Sequence, residues 1–455
     1  MYSNYLLVTN VRNLSMTQKQ IILTKVKCEG KEIKPQGSRF VALEGVRGLA
    51  AIVVVLHHFL LAFYPIMVAG PGSLQHSRFE DNVHGTPLAI LYAGTFAVAI
   101  FFVLSGFVLT IGFFQTKNEV IIKKLASKRY LRLMLPALAV TILCFLLIKL
   151  GFPRYIAEMA NITGSGWLVG MGWNPDATFL QALYSGTIGI FIEGRSSFDN
   201  VLWTMLTEFA GSFIVFAFVL LFGTSKHRWM SYVVVSIFTF NTWFLPFILG
   251  MALADLYASG RLEVFKKKRW LIASLVGAIA FGSFPAIGTD ATVYSAVSQQ
   301  LFGGITIDYN ILYLTFGATF LIFAVLIGKR VTQWLEKPRV SKLGKYTFSL
   351  YLIHLPVLYT VGALVFLALS PHFTYNVAVL ITVLVCIPSV VAATLFFERY
   401  IDAPAVRFSG IVAQIFEKDE SFELKKYLLK FLRKLSKLKI IFLRPPTVNE
   451  KPFVD

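Results

Sequence analysis

Long uninterrupted apolar runs constrain this chain more than any other feature of its sequence. A helix needs about 20 apolar residues to cross the hydrocarbon core of a bilayer, and ten stretches approach or exceed that length. They are residues 40–63, 89–114, 131–151, 177–193, 201–222, 229–256, 270–288, 308–328, 346–368 and 375–397. The fourth is short and the sixth is long, so both are candidates for broken or re-entrant helices. The sequence predicts an all-α, polytopic membrane helix bundle of about ten transmembrane helices.

The composition also favours a membrane protein over a soluble multidomain protein. Of the 455 residues, 56% are hydrophobic and only 15% are charged, which leaves too little polar surface for a soluble chain of this length. The net charge is +19, but the basic residues lie in short clusters between the apolar runs and in the C-terminal tail. Such clusters orient membrane proteins and contact anionic lipid. We therefore expect the lipid bilayer, and no nucleic acid, as a partner.

The positions of the basic clusters predict which loops face the cytoplasm. With an internal N-terminus and ten spans, the clusters at residues 123–129, 265–269 and 328–330 with 336–345, and the tail, are all cytoplasmic. Only the cluster at 225–228 then lies outside. Both termini are expected in the cytoplasm of a multi-pass protein of the plasma membrane or an endomembrane.

The flanking segments differ in character from the apolar region. Residues 1–39 read as a cytoplasmic N-terminal segment, 40–409 as the transmembrane domain, and 410–455 as a cytoplasmic basic tail. Within the tail, residues 421–443 have the pattern of an amphipathic helix lying in the membrane interface, with a short coiled-coil contact as the alternative. The three cysteines are scattered, so they indicate neither a disulfide framework nor a metal site.

The first apolar run contains ionisable residues that need an explanation. Arg47 and His58 are eleven residues apart, close to three helical turns, so both project from one face with a rise of about 16 Å between them. Glu44 lies on nearly the same stripe, whereas His57 points elsewhere. Ionisable groups inside a span are costly and often functional. Alternatively, Arg47 reaches the cytoplasmic surface and pairs with Glu44, while His58 lies near the outer interface.

Six segments, in order, resemble the acyltransferase 3 family of integral membrane O-acyltransferases. The family signature is an arginine, ten intervening residues and a histidine, and Arg47 and His58 fit it. The matching segments are LEGVRGLAAIVVVLHH (43–58), AVAIFFVLSGFVLT (97–110), KRYLRLMLPAL (128–138), LWTMLTEFAGSF (202–213), LGKYTFSLYLIHLPVL (343–358) and FERYIDAPAVRFS (397–409). Together they span the whole apolar region.

The resemblance implies transfer of an acyl group, commonly acetyl, from acetyl-CoA or another acyl-CoA to a hydroxyl of a carbohydrate, lipid or small metabolite. In that interpretation His58 is the catalytic base, and Arg47 holds the donor or orients the site. Arg129 and Arg132 are three residues apart at the start of the third span, and guanidinium groups suit phosphate. We expect these two arginines to bind the donor, although a juxtamembrane basic cluster can also be only a topology signal.

Two further polar residues within spans have open roles. Glu208 is a candidate catalytic residue that would orient the histidine, polarise the acceptor or pair with a buried arginine. His354 is interpreted as a packed histidine bonded to a neighbouring hydroxyl, in preference to a catalytic one. His76 and His84, with Glu80 and Asp81, match no metal-site spacing, so no metal is expected. An oligomer is compatible with the sequence.

A polytopic secondary transporter is the rival class. The intramembrane Arg47, His58 and Glu208 would then form a proton or substrate path. No inverted repeat is visible, and the six ordered motifs favour the enzyme.

Overall fold

The computed structural model describes residues 38–170, 173–194, 196–285 and 309–418 as helices joined by short connections. Within these ranges it contains no strand, only an isolated bridge between Pro71 and Ser73. The segment before residue 38 and the amphipathic helix expected at 421–443 lie outside the described residues.

The main helices are α1 (Ser38–Phe63), α2 (Gly94–Thr116), α3 (Glu119–Lys149), α4 (Phe152–Thr163), α5 (Phe179–Tyr184), α6 (Thr204–Phe222), α7 (Arg228–Phe238), α8 (Leu245–Ala258), α9 (Lys268–Gly282), α10 (Tyr309–Ile327), α11 (Thr347–Val357), α12 (Ala363–Leu369), α13 (Tyr375–Phe397) and α14 (Ala403–Lys418). Shorter helical segments are Pro65–Ala69, Arg78–Val83, Pro87–Leu91, Gly166–Val169, Ile190–Ile192, Asn200–Trp203, Arg261–Phe265, Lys329–Leu335, Pro338–Ser341 and Lys342–Tyr346. π-Helical turns at Ser185–Gly189, Leu358–Gly362 and Glu398–Asp402 continue α5, α11 and α13.

Seven helical segments in the described ranges are long and apolar enough to cross a membrane, fewer than the ten predicted. They are Phe40–Phe63, Gly94–Thr116, Glu119–Lys149, Asn200–Phe222, Asn310–Ile327, Pro338–Leu369 and Tyr375–Gln414. The predicted fourth and sixth spans form shorter apolar helices instead. Helix α9, which corresponds to the seventh predicted span, has 15 residues.

The sixth predicted span is broken into two antiparallel helices. Three polar residues, Thr239, Asn241 and Thr242, form the break: the Thr242 hydroxyl donates to the Thr239 carbonyl (2.7 Å), and Asn241 adopts a left-handed conformation at φ 60°. Asparagine tolerates that conformation better than most residues. Arg228, at the start of α7, donates to both carboxylate oxygens of Asp255 near the end of α8 (2.6 and 2.8 Å). The chain therefore returns to the end from which it started.

The hairpin of α7 and α8 shows that residues 225–228 lie at the opposite end of the bundle from the one predicted. Gly223, which follows α6, packs against the ring of Phe113 near the C-terminus of α2. Lys117, just beyond α2, lies within electrostatic range of Arg228 and Asp255. The cluster at 225–228 thus lies at the same end as Lys117, and its expected placement on the opposite side is wrong. We call this end of the bundle the basic end and the opposite end the far end.

The fourth predicted span also turns back within the bundle. Its first residue in α5, Phe179, contacts Phe145 near the far end of α3, with ring centroids 5.9 Å apart. Further along, the ring of Phe191 contacts that of Tyr130, with centroids 5.3 Å apart, and Tyr130 lies closer to the basic end. The chain then reverses, because Phe198 returns to Trp173, which precedes α5: the Trp173 indole donates to the Phe198 carbonyl (2.7 Å). Residues 179–199 therefore enter from the far end and return before α6 begins.

Glycines allow α2 and α8 to pack with their backbones in contact. A Cβ added at Gly106 would lie 2.1 Å from the Phe247 carbonyl oxygen, and one at Gly250 would lie 2.0 Å from that of Val103. Small residues serve this purpose between membrane helices. Gly106 in the second motif is therefore explained by the approach of a helix.

Candidate active site

A cavity of about 110 Å³ opens between α1, α2, α3, α6 and α11. Its lining includes three of the residues singled out in the sequence as candidate donor-binding groups, Arg47, Arg129 and Arg132, together with Glu208 and Tyr351. We call this space the arginine cavity. Helices far apart in sequence thus bring the predicted cationic side chains to one place.

Arg129 and Glu208 form an ion pair across α3 and α6, and both side chains are largely buried, at 10% and 15% exposure. The Ser105 hydroxyl donates to the same carboxylate (2.6 Å), and Arg129 Nε donates to the Ser212 hydroxyl (2.7 Å). Of the three roles open to Glu208, the structure therefore shows pairing with a buried arginine. Among the described residues, its carboxylate contacts no histidine.

Arg47 and Arg132 keep more of their hydrogen-bonding capacity. Arg47 donates to Glu44 (3.1 Å), as one reading of the sequence expects, yet it also lines the arginine cavity. Arg132 makes no ion pair within the described part of the chain and lies within electrostatic range of Asp402 and Glu208. A guanidinium group has five N–H donors. These two arginines are therefore the cavity's available cationic donors.

His58 lies toward the far end and pairs with a second histidine. Its Nδ1 is 2.9 Å from the Val54 carbonyl oxygen and 3.0 Å from Nε2 of His354, which is 0% exposed. The expectation that His354 bonds to a hydroxyl is wrong, because its Nδ1 contacts the Leu350 carbonyl oxygen (3.0 Å). The other histidine of the first span, His57, faces the Tyr92 carbonyl oxygen instead (3.0 Å). Of the two neighbouring histidines, His58 is thus the one that pairs with α11.

Tyr351 stands between the arginine cavity and the histidine pair. It lines the cavity, and its ring centroid is 6.3 Å from that of His354, three residues further along α11. Its hydroxyl donates to the Val201 carbonyl (2.8 Å) and lies 3.0 Å from the Thr204 hydroxyl. Sequence reasoning missed this boundary because it depends on how residues 200–204 fold against α11.

The histidines of the far-end loop have structural partners. His76 stacks on Tyr375 at a centroid separation of 3.6 Å, and its Nε2 contacts the Thr163 carbonyl oxygen (2.8 Å). Glu80 accepts from the backbone N–H groups of His76 and Ser77, both at 2.7 Å. Within the described ranges, no group of three or more His, Cys, Asp or Glu residues is arranged to hold a metal ion.

The fold is a polytopic bundle of apolar helices with a buried site of arginines and histidines. A family model described as an acyltransferase domain matches residues 40–398, most of the chain. The chain belongs to the acyltransferase 3 family, which confirms the resemblance, and it is a membrane acyltransferase that transfers groups other than aminoacyl groups. It is 24% identical to the O-acetyltransferase PaAT-1 of Phomopsis amygdali over 417 residues, which are 81% of this chain and 83% of that protein. No solved structure matches it.

Proposed function

We propose that this enzyme transfers an acyl group, in the first instance acetyl, from a coenzyme A thioester to a hydroxyl of a carbohydrate, lipid or small metabolite. The observation that carries the proposal is that one helix, α1, contributes both groups that such a reaction needs, a cation for the donor and a base. Arg47 lines a cationic cavity suited to the donor's phosphates, and His58, eleven residues further along the same face, supplies a base. The relative named an O-acetyltransferase supports acetyl and a hydroxyl acceptor.

The basic end is proposed to face the cytoplasm, where acyl-CoA is present. Cytoplasmic loops carry an excess of lysine and arginine, and the regrouping of residues 225–228 with Lys117 removes the exception to that rule. With the fourth and sixth predicted spans turning back, eight segments are proposed to cross: the seven long apolar helices, which are α1, α2, α3, α6, α10, α11 with α12, and α13, and in addition the 15-residue α9. An even number places both termini on the same side, which is the cytoplasm if the basic end faces it.

Donor binding is proposed to rest on Arg132 and Arg47. Both line the arginine cavity, and neither guanidinium is fully committed to protein partners. Arg129 contributes to the cavity wall, but Glu208 neutralises its charge and Ser212 occupies its Nε. The proposed part of Glu208 in catalysis is therefore to hold Arg129 in position beside the donor.

His58 is proposed to act as a general base through Nε2. A carbonyl oxygen only accepts, so the 2.9 Å contact with Val54 places the proton of the neutral ring on Nδ1 and leaves the Nε2 lone pair available. Nε2 takes the proton of the acceptor hydroxyl as its oxygen attacks the thioester carbonyl carbon. The carbon–sulfur bond then breaks, and the coenzyme A thiolate takes the proton from the imidazolium.

Direct transfer is favoured over an acyl-enzyme. Cys144 and Cys386 are buried in helix packing, and the sequence has no recognisable serine nucleophile motif. The rise of about 16 Å between Arg47 and His58 then has to be spanned by the donor itself. The pantetheine arm of coenzyme A is long and extended, and the route passes Tyr351 and Phe101, whose rings meet edge to face at 6.2 Å.

A transfer assay with purified protein tests this function. The protein in lipid nanodiscs would be given acetyl-CoA labelled in the acetyl group and a panel of sugars, lipids and small alcohols, with products identified by mass spectrometry. We expect a labelled ester that depends on active protein and releases one coenzyme A per ester. If no acceptor yields an ester and His58→Ala instead alters solute flux into proteoliposomes, the chain is a transporter.

A further inference from the structure

We propose that His354 is a positioning residue for the reaction: together with the Val54 carbonyl it fixes the tautomer of His58, and it stabilises the imidazolium that His58 becomes. This inference rests on the proposed function. It starts from two contacts of one ring, with His354 Nδ1 3.0 Å from the Leu350 carbonyl oxygen and Nε2 3.0 Å from His58 Nδ1.

The carbonyl contact determines where His354 carries its proton. Because the Leu350 oxygen has no hydrogen to donate, the 3.0 Å contact is a hydrogen bond only if Nδ1 of His354 is the donor. A neutral imidazole has one N–H group, so Nε2 of His354 is then an acceptor. The backbone of α11 thereby presents a lone pair to His58.

His58 meets two acceptors at the same nitrogen. Its Nδ1 faces the Val54 carbonyl oxygen at 2.9 Å and the His354 Nε2 lone pair at 3.0 Å, so the Nδ1–H group is shared between them. The other tautomer of His58 would lose both hydrogen bonds. The pair therefore holds Nε2 of His58 in the unprotonated form that a general base requires.

The hydrogen bond from His58 Nδ1 to His354 Nε2 strengthens when His58 takes a proton. A hydrogen bond donated by an imidazolium is charge-assisted and is about twice as strong as a neutral one. In serine hydrolases a carboxylate fulfils this role next to the histidine. Here the acceptor is neutral, so the resting site carries no buried negative charge to desolvate.

The competing partners of His58 do not offer an equivalent acceptor. His57 contacts the His58 ring edge to face at 5.2 Å, but its Nδ1 faces the Tyr92 carbonyl oxygen. Trp167, at 5.3 Å from the His58 ring, has an indole N–H that only donates. Glu208, a candidate for orienting the histidine, is bound to Arg129. Among these neighbours, His354 alone presents a side-chain acceptor to His58 Nδ1.

Two amide variants at position 354 separate positioning from packing. Glutamine reaches the place of the imidazole Nε2 and can accept from His58. Asparagine is one methylene shorter and reaches only as far as Nδ1, toward the Leu350 carbonyl. His354→Asn is expected to lower kcat roughly 10- to 100-fold, since the imidazolium of His58 loses one charge-assisted hydrogen bond. The KM for acetyl-CoA should stay within about twofold because the arginine cavity is untouched, and His354→Gln should recover most of the rate.

The comparison uses purified full-length protein in nanodiscs, with thermal unfolding measured for each variant. Should His354→Asn fail to fold, His354→Leu, which fills space without an acceptor, is expected to give the same loss. The role of His354 is refuted if either variant that presents no acceptor to His58, asparagine or leucine, keeps wild-type kcat, if glutamine is as slow as asparagine, or if the change falls on KM. Failure of the proposed function is distinct: the wild type would then form no ester, or His58→Ala would still form it.

Discussion

The guanidinium of Arg129 is bound by the carboxylate of Glu208 on the neighbouring helix, whereas Arg132, one turn further along α3, has no ion-pair partner within the described part of the chain. Two arginines that look equivalent in the sequence are therefore different in the structure. Arg129 holds two helices together, and Arg132 is available to an anionic ligand.

Arg132→Gln is expected to weaken donor binding without preventing the reaction. Loss of one charge-assisted hydrogen bond to a phosphate costs about 1.5 kcal/mol or more, so the KM for acetyl-CoA should rise roughly tenfold. The rate at saturating donor should change much less. Steady-state kinetics checks this prediction, and an unchanged KM would rule out a phosphate contact for Arg132.

Arg129→Gln is expected to act mainly on stability. Breaking a buried ion pair costs about 3–5 kcal/mol when one charge is left unpaired, and partial exposure of this pair places the loss near the lower end. Thermal unfolding in detergent should show a lower Tm. Arg129→Gln combined with Glu208→Gln should recover part of the loss, since no charge then remains alone. A single variant as stable as the wild type contradicts the pairing.

Gly250→Ala tests the contact between α2 and α8. The new methyl group would meet the Val103 carbonyl oxygen at 2.0 Å, so the helices must separate, at a cost of about 1–3 kcal/mol. Gly410→Ala is the matched control because nothing lies within 4 Å of its added Cβ. Thermal unfolding should show a lower Tm for the first variant only. Equal Tm values for both would mean that α2 and α8 are not in backbone contact.

Labelling of Ser225→Cys tests the hairpin topology. In intact cells an impermeant thiol reagent should leave this exposed position unmodified and should react with it once the membrane is permeabilised. Asp176→Cys, in the exposed loop at the far end, should show the opposite behaviour. Labelling of both positions from outside would restore the ten-span arrangement.

Apolar length predicts most of the helices because it reflects a physical requirement of the bilayer. It misjudges residues 229–256, where the hydroxyls of Thr239 and Thr242 bond backbone carbonyls and Asn241 adopts a left-handed conformation, which together permit a turn that hydropathy does not register. The same reasoning counts 177–193 as a crossing because a re-entrant helix is as apolar as a short span.

The candidate site is predictable only where its residues share one helix. Helical periodicity places Arg47 and His58 on one face of α1 and separates His58 from His57. The partners of Glu208 and His354 come from other helices, Arg129 and His58, so their roles depend on tertiary packing. A single sequence leaves those roles open.

His58, and not its neighbour His57, is proposed to be the base for acyl transfer. The most direct measurement compares kcat for ester formation in His58→Gln and His57→Gln, with acetyl-CoA binding to each variant measured by calorimetry. We predict that His58→Gln loses at least about 100-fold in kcat while binding the donor normally, and that His57→Gln stays within severalfold of the wild type. Retention of the wild-type rate by His58→Gln would contradict the mechanism.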